Sequence, residues 1–458
     1  MIQKDTIVAI ATPTGVGAIA VLRISGKRAF EVIDYTFETI SKKKLKTQKG
    51  YTIHFGKITN GSLVLDEVLV SLFKAPQSYT GEDVVEVSCH GSLYIQRELL
   101  QLFLAKGCRI AEPGEFTKRA FLNGKIDLSQ AEAVADLIAT NSAASHKVAM
   151  QQMKKGFASD LKALRDELVD LASMVELELD FSEEDIEFAD KKELGNLAER
   201  ISKVLNKLIQ SFESGNAMKN GIPIAIMGKP NVGKSTLLNT ILNDQKAIVS
   251  HIPGTTRDAI EEQVNINGIV MRFIDTAGVR ETEDEIEQIG IQRTFQEIER
   301  ASVILYLFDV SCTEIKSVSK EIKSLKKQFP DKKFILVGNK YDQVDKSTQT
   351  NLSSKKKLVL ISAKEKTGIE LLLEKIGLLV SLLVSEEGTV VSNMRHYEAL
   401  KNSKEQIVKL QEGLESGLSG DILAIDIRST LHYLGLITGE VTTDDLLGNI
   451  FSNFCIGK

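Results

Sequence analysis

The chemistry of this chain is concentrated in eight consecutive residues, Gly228-Lys229-Pro230-Asn231-Val232-Gly233-Lys234-Ser235. They match GxxxxGK[ST], directly after an apolar run at 222–227 and directly before a helix-like pattern at 236–242. That context turns a pattern match into a mechanism. Glycines let backbone N–H groups wrap phosphate oxygens, and a helix N-terminus adds its dipole. Lys234 neutralises phosphate charge, and the Ser235 hydroxyl suits Mg²⁺. A nucleoside triphosphate is expected against Asn231, Val232, Gly233, Lys234, Ser235 and Thr236.

Further segments narrow the ligand. Asp275-Thr276-Ala277-Gly278 ends a strand pattern, where Asp275 would hold Mg²⁺ through water and the Gly278 amide would sense the γ-phosphate. Asn339-Lys340-Tyr341-Asp342 follows another strand pattern, and its Asp342 carboxylate can accept hydrogen bonds from the N1–H and exocyclic amino group of guanine. Adenine offers no such pair, and a site built on buried hydrogen bonds rejects an analogue lacking them by about 10⁴-fold. Ser362-Ala363-Lys364, after the last strand, would direct backbone N–H groups at the guanine O6. Gly254-Thr255-Thr256-Arg257-Asp258 lies where a first switch loop belongs, with Thr256 as the second Mg²⁺ hydroxyl. Together these segments predict an enzyme that hydrolyses GTP to GDP and phosphate.

One position departs from the Ras-like pattern. Val279 stands where a glutamine would orient the attacking water, and an apolar side chain cannot aim a water. Catalysis then needs another source. Asn231 offers a side-chain carbonyl beside the β,γ-bridge, where a monovalent cation could supply the charge an arginine finger otherwise brings. The acidic run Glu281, Glu283, Asp284, Glu285 and Glu287 either supplies a water-orienting base or is a solvated loop.

Positioning these loops requires a doubly wound sheet, and the apolar runs at 222–227, 270–274, 303–309, 334–337 and 358–361 supply its strands. Asn267-Gly268 suits a tight hairpin, so one strand is expected to run antiparallel to the rest. Helical spacing flanks this unit: Leu161, Leu164, Leu168, Leu171 and Val175 before it, then Leu197, Ile201, Val204 and Leu208, and Tyr397, Leu400, Ile407 and Leu410 after it. Ser129 and Glu132 predict a capping box at a helix start, and 211–220 reads as a flexible polar stretch. The first 120 or so residues alternate strand patterns (6–11, 18–24, 63–73, 84–89) with one helix pattern at 93–106, an α+β arrangement. The expected architecture is a multidomain α/β protein with an N-terminal α+β domain (1–123), a helical domain in two parts (124–218 and 381–458), and an inserted Ras-like doubly wound P-loop GTPase domain (219–380).

Composition bounds what else the chain can be. At about 150 residues per domain, 458 residues suggest about three domains. With 43% hydrophobic and 26% charged residues, a disordered or collagen-like chain is excluded. No apolar run approaches the ~20 residues of a membrane span, and the first 15 residues fit neither a secretory signal nor a transit peptide. No membrane association and a cytoplasmic address are expected. A net charge of −5 argues against a chain that coats nucleic acid nonspecifically, leaving local patches such as Lys42, Lys43, Lys44 and Lys46. Cys89, Cys108, Cys312 and Cys455 form no CxxC pair, and the first three are expected to be buried and reduced. A GxGxxA sequence at 15–20 precedes an alternating strand pattern rather than a helix, so a dinucleotide site is not expected there.

With these motifs in place, Glu115-Phe116-Thr117-Lys118-Arg119-Ala120-Phe121-Leu122-Asn123-Gly124-Lys125-Ile126-Asp127-Leu128 and the terminal Phe454-Cys455-Ile456-Gly457-Lys458 carry a resemblance. The chain resembles the tRNA-modification GTPase family MnmE, also called TrmE, over essentially its whole length. The resemblance implies a homodimer formed through the N-terminal domain, which would hold 5,10-methylene- or 5-formyl-tetrahydrofolate. It implies an FAD-binding partner of the MnmG (GidA) family, in a heterotetramer or larger, and addition of a carboxymethylaminomethyl or aminomethyl group to C5 of the wobble uridine of certain tRNAs. It implies K⁺ held by Asn231, Ser250, Ile252 and Thr255, nucleotide contacts from Ser250, His251, Ile252, Pro253, Gly254, Thr255 and Thr256, and Glu287 as the water-orienting residue beside Asn231 and Lys234. Folate contacts would fall to Arg23, Glu82, Lys125 and Lys458. A glutamyl tail suits the three cations and a pterin donor edge suits Glu82, although surface ion pairs and a capped turn would explain the same residues. Cys455 is either a reactive thiol near the folate or a buried anchor for the tail. The rival reading is a GTPase switch in ribosome assembly, but no GxxG loop in a βα context stands in the C-terminal half.

Overall fold

The computed structural model describes residues 5–39, 44–154, 156–180, 191–244, 262–274, 298–345, 349, 358–384, 390–452 and 454–457. The chain divides into two compact units, one of residues 1–138, 152–189 and 418–458 and the other of 139–151 and 190–417.

The first unit is built on a seven-stranded sheet of order β3-β4-β5-β6-β2-β1-β7. Its strands are β1 (Ile7–Ile10), β2 (Ile19–Ser25), β3 (Phe37–Thr39), β4 (Thr52–Asn60), β5 (Leu63–Phe73), β6 (Val84–His90) and β7 (Arg109–Ile110). β2 pairs antiparallel with both β1 and β6, and its Ala20, Leu22 and Ile24 alternate into the core. The GxGxxA stretch therefore joins two antiparallel strands, as the alternation predicts, and opens no dinucleotide-binding helix. Helices Ala29–Asp34 and Leu93–Ala105 cover one face of the sheet, burying Phe30, Leu99, Leu102 and Phe103. The helix Gly156–Asp180 packs on Gly420–Thr438, with Leu161, Leu168 and Val175 buried.

Local sequence misplaced one cap. The helix Leu128–Ala139 already contains Ser129, and its cap is Asp127. The Asp127 Oδ1 accepts from the Gln130 amide at 2.8 Å, while the Gln130 Oε1 accepts from the Asp127 amide at 3.1 Å. This is a capping box shifted two residues toward the N-terminus, with Ser129 donating to the same carboxylate at 2.6 Å.

The second unit holds a six-stranded sheet of order β13-β12-β11-β8-β10-β9. Its strands are β8 (Ile222–Met227), β9 (Glu262–Ile266), β10 (Ile269–Phe273), β11 (Val303–Asp309), β12 (Lys333–Asn339) and β13 (Leu358–Leu360). All pairs are parallel except β9 with β10, whose turn places Asn267 and Gly268 at φ 54° and 80°. β11 is buried along its whole length, as a central parallel strand must be. Helices Lys234–Asp244, Ile315–Gln328 and Ile369–Val384 belong to the same α/β arrangement. Helices Lys191–Gln210 and Met394–Glu415, from either side of it in sequence, pack on each other.

The 211–220 stretch is not a flexible linker. Phe212–Asn220 is a helix whose Phe212 ring stacks on Tyr397 at 4.4 Å and whose Met218 is buried. Gly215 lets the backbone of Val391 approach so closely that a Cβ would lie 2.2 Å from the Val391 carbonyl oxygen. Polar composition hid one narrow packing stripe.

Candidate GTP and folate sites

The phosphate loop leaves β8 at Met227 and enters the helix Lys234–Asp244. Two of its glycines are required sterically. A Cβ on Gly228 would lie 2.1 Å from the Leu307 carbonyl oxygen, and one on Gly233 would lie 2.3 Å from the Asn339 Nδ2. Asn231 sits exposed at φ 62°, a left-handed conformation that asparagine tolerates better than most residues. The Lys234 ammonium folds back over the loop and donates to the Gly228 carbonyl at 2.7 Å. Lys234 and Ser235 thus open the helix beside a backbone turn shaped for an anion.

Asn339 ties the loops of the site together. It is 3% exposed; its Nδ2 donates to the Val232 carbonyl at 2.8 Å and its Oδ1 accepts from the Ala363 amide at 2.9 Å. The Thr240 hydroxyl donates to the Ala363 carbonyl at 3.0 Å, joining the phosphate-loop helix to the same segment. The structure thus brings together Asn231 to Thr236, Asn339 to Asp342, and Ser362 to Lys364 at the C-terminal ends of β8, β12 and β13. Ser362 and Ala363 are buried, whereas Asp342, in a 3-10 turn, and Lys364 are exposed. The Ser362 hydroxyl accepts from the Glu365 amide at 3.1 Å and so shapes the loop from within.

A residue that sequence reasoning did not single out completes this arrangement. Asp309, at the end of β11, takes the Lys340 ammonium at 2.7 Å and accepts from the Ser311 amide and hydroxyl at 2.9 and 2.6 Å. Burial alone would raise the Asp309 carboxyl, but the bonds from Lys340 and Ser311 outweigh it and hold the group below the usual carboxylate range. Its signal in the sequence was an acidic residue closing an otherwise apolar strand.

Ser250, His251, Ile252, Pro253, Gly254, Thr255 and Thr256 lie outside the described residues, as do Asp275, Thr276, Ala277, Gly278, Glu287 and Lys458. Among the described residues no cluster of three metal-ligating side chains stands together. A Mg²⁺ site that relies on phosphate oxygens, water and the Ser235 hydroxyl has no need of one.

The first unit contains a second polar cluster. Arg23 on β2 pairs with Glu86 at 2.8 Å, donates to the Gly457 carbonyl at 3.4 Å, and lies 5.5 and 5.6 Å from the ring centroids of Tyr79 and Phe116. Glu82 accepts from the Ser25 hydroxyl at 2.7 Å and takes the Arg119 guanidinium at 3.2 Å on both oxygens. Lys125 is exposed and donates to the Pro76 carbonyl at 2.9 Å. A Cβ on Gly81 would come within 3.3 Å of the Lys125 side chain, which places Lys125 against the turn that precedes Glu82.

The C-terminal tail docks on this domain. Ile456 bridges Pro113, the Gly114 amide donates to the Cys455 carbonyl at 3.4 Å, and a Cβ on Gly457 would lie 2.4 Å from the Ile10 carbonyl oxygen. Phe454 packs with Phe451 and Leu128, so the anchoring falls to Phe454 and Gly457. Cys455 itself is exposed, which removes the buried-anchor reading of its thiol. Cys89 and Cys108 are buried as expected, with their thiols pushed up by burial to about 11 and about 12, but Cys312 is exposed.

Arg119 is the residue beneath this cluster whose role the sequence did not disclose. It is 4% exposed and ion-paired to Asp5 at 2.7 Å, Glu115 at 2.9 Å and Glu82 at 3.2 Å. Arg109 adds a bond to Glu115 at 2.6 Å. Burial pushes the Glu115 carboxyl up, yet Arg109, the Glu112 amide and Arg119 bring it below its ordinary value.

The glycine-lined loop, the turn from Asn339 to Asp342 that it is bonded to, and the strand order define a P-loop GTPase. Residues 128–455 match the family described as the MnmE helical domain, and residues 6–125 match the one described as the GTP-binding protein TrmE N-terminus. The chain belongs to the MnmE family of tRNA modification GTPases. It is 53% identical to the tRNA modification GTPase MnmE of Flavobacterium psychrophilum, with 100% of both chains covered, and 50% identical to that of Bacteroides thetaiotaomicron, again over 100% of both. Among solved structures it is similar to the FeoB G-domain of Methanococcus jannaschii (25% identity, 35% of this chain and 98% of that one, TM-score 0.24). It is also similar to a single-residue variant of Aquifex aeolicus Era bound to GDP.AlF4- (27%, 41% and 67%, TM-score 0.26).

Proposed function

We propose that this protein is a K⁺-assisted GTPase that works with an FAD-binding MnmG-type partner on tRNA. The pair would add a carboxymethylaminomethyl or aminomethyl group to C5 of the wobble uridine, using a tetrahydrofolate one-carbon unit. The observation that carries this reading is the convergence of Arg23, Glu82, Lys125 and the docked tail in one domain of a chain that also holds a complete phosphate loop.

In the GTPase, the Lys234 ammonium exchanges the Gly228 carbonyl for β- and γ-phosphate oxygens, and the loop amides close around the same charge. Asn339 keeps phosphate loop and base loop in register, and Asp342 reads the guanine edge. The Ser235 hydroxyl, with Thr256 and Asp275, would hold Mg²⁺. Asn231 presents a hard amide oxygen at an exposed left-handed turn, a donor suited to K⁺ together with Ser250, Ile252 and Thr255. K⁺ held by these residues would supply positive charge for phosphoryl transfer, and Glu287 would orient the water.

In the first unit, Glu82 is oriented by Ser25 and Arg119 as an acceptor for a pterin donor edge, while Arg23 and Lys125 with Lys458 would meet the glutamyl carboxylates. Homodimerisation through this domain is supported by exposed Ile53, Phe55 and Leu69 on β4 and β5, with Phe55 and Leu69 directly paired.

The test is mass spectrometry of wobble-uridine nucleosides from cells lacking the protein. Loss of the C5 modification is expected; its persistence, with ribosome subunits failing to mature, would favour the assembly-factor reading.

A further inference from the structure

The helix Ile315–Gln328 has two faces of different chemistry. Val318 and Ile322 are buried, and Ile315, Leu325 and Phe329 pack beside them against β11 and β12. Opposite them, Lys316, Lys320, Lys323 and Lys327 are all exposed. At about 100° per residue these four fall within roughly 60° of one another, and at about 1.5 Å rise per residue they are about 6, 4.5 and 6 Å apart along the axis. Among the described residues no carboxylate pairs with any of them.

Unneutralised lysines at i, i+4, i+7 and i+11 repel one another and cost the helix stability. They stand on a chain whose net charge is −5, so the stripe is a local reversal of sign rather than a general basic character. The neighbouring side chains on this face include Ser317, Ser319 and Ser324, which add no apolar anchor; the Ser317 hydroxyl donates to the Glu314 carbonyl at 2.7 Å.

We infer that this face is an RNA-contacting surface, taking the phosphate backbone of the tRNA substrate through successive lysines. The inference rests on the tRNA reading above and adds the surface that would make the contact. Four point charges spaced a few ångströms apart suit consecutive backbone phosphates, and lysine binds phosphate without the planar geometry that arginine imposes. Two other polyanions fit less well. A bilayer-binding helix needs an apolar face free for the lipid, and here that face is already packed on the sheet. Protein interfaces are depleted in lysine and centre on aromatic or arginine anchors, which the stripe lacks.

The experiment compares the full chain with a variant carrying Lys316→Gln, Lys320→Gln, Lys323→Gln and Lys327→Gln, and with the corresponding Lys→Arg variant. Fluorescently labelled bulk tRNA is the probe, titrated across a salt series. In the glutamine variant, affinity at low salt is expected to fall at least about tenfold, and the slope of log K against log salt is expected to flatten by about 3. The arginine variant should bind as the parent does. GTP hydrolysis without tRNA should be equal in all three, since none of the four lysines belongs to the nucleotide-binding residues, and this controls for folding. Unchanged affinity and slope in the glutamine variant would overturn the surface while leaving the tRNA reading intact. Failure of the parent chain to bind tRNA at all would overturn both. Loss of binding to anionic vesicles or to an acidic protein, with tRNA binding unaffected, would also overturn it.

Discussion

Asp309 Oδ2 lies 2.7 Å from Lys340 Nζ, and the backbone of Lys340 is held at φ 63° immediately before the turn that carries Asp342. The ion pair therefore holds the Lys340 side chain beside the turn that carries Asp342. Replacing Asp309 by Ala is expected to raise the KM for GTP about tenfold, the scale of a lost hydrogen bond to a charged group, with kcat changed less than about twofold. Steady-state kinetics would check this split; a fall in kcat at constant KM would contradict a role in positioning the base loop.

Asp342 is the residue expected to read guanine directly. Asp342→Asn should shift nucleotide preference away from guanine, and competition assays with GTP and XTP would measure it. Retained selectivity for GTP would remove Asp342 from base recognition.

The buried network around Arg119 predicts an acid-sensitive first unit. The carboxyls of Asp5 and Glu115 lie below their ordinary values, Asp5 through Arg109 and Glu115 through bonds that outweigh its burial. A depressed folded-state pKa contributes stability that is present above the unfolded value, near pH 4 for a carboxyl, and lost as pH falls through the folded value. Glu115→Gln should cost about 3 kcal/mol at neutral pH, in line with removal of one member of a buried ion cluster. The gap from wild type should close as the pH drops below about 4. Urea unfolding across pH would show whether it does.

Exchange of K⁺ for Na⁺ should slow hydrolysis markedly in the parent chain, because a smaller ion cannot bridge the same oxygens. Asn231→Ala should abolish that difference. Turnover measured in the two chloride salts decides the point, and equal parent rates would take Asn231 out of catalysis.

Deleting residues 455–458 should impair tRNA modification while sparing GTP hydrolysis, since Ile456 and Gly457 contact Pro113 and Ile10 in the first unit. Loss of both activities would assign the tail a structural role instead.

What was legible in the chain follows from the range of the interactions involved. Phosphate binding is encoded within eight consecutive residues, because glycines, lysine and serine act through a single turn and the first turn of one helix. Strand patterns at 222–227, 270–274 and 303–309 were equally local, since burial imposes composition directly on each strand. The cap at Asp127 was missed because Ser129 and Asp127 are both acceptable N-cap residues, and only the reciprocal bond with Gln130 separates them. The helix Phe212–Asn220 was missed because its polar face is wide and its packing contacts, Tyr397 and Val391, lie far along the chain.

Residue types and their spacing are enough to specify the chemistry of the nucleotide loop, the alternation of sheet and helix around it, and the family. That Asn339 reaches Val232 across 107 positions, Arg119 reaches Asp5 across 114, and Arg23 meets Gly457 across 434 emerges with folding alone. A side chain's donors and acceptors are written in its residue type. Which partner satisfies them is set by how the folded chain returns on itself, and no local pattern carries that information.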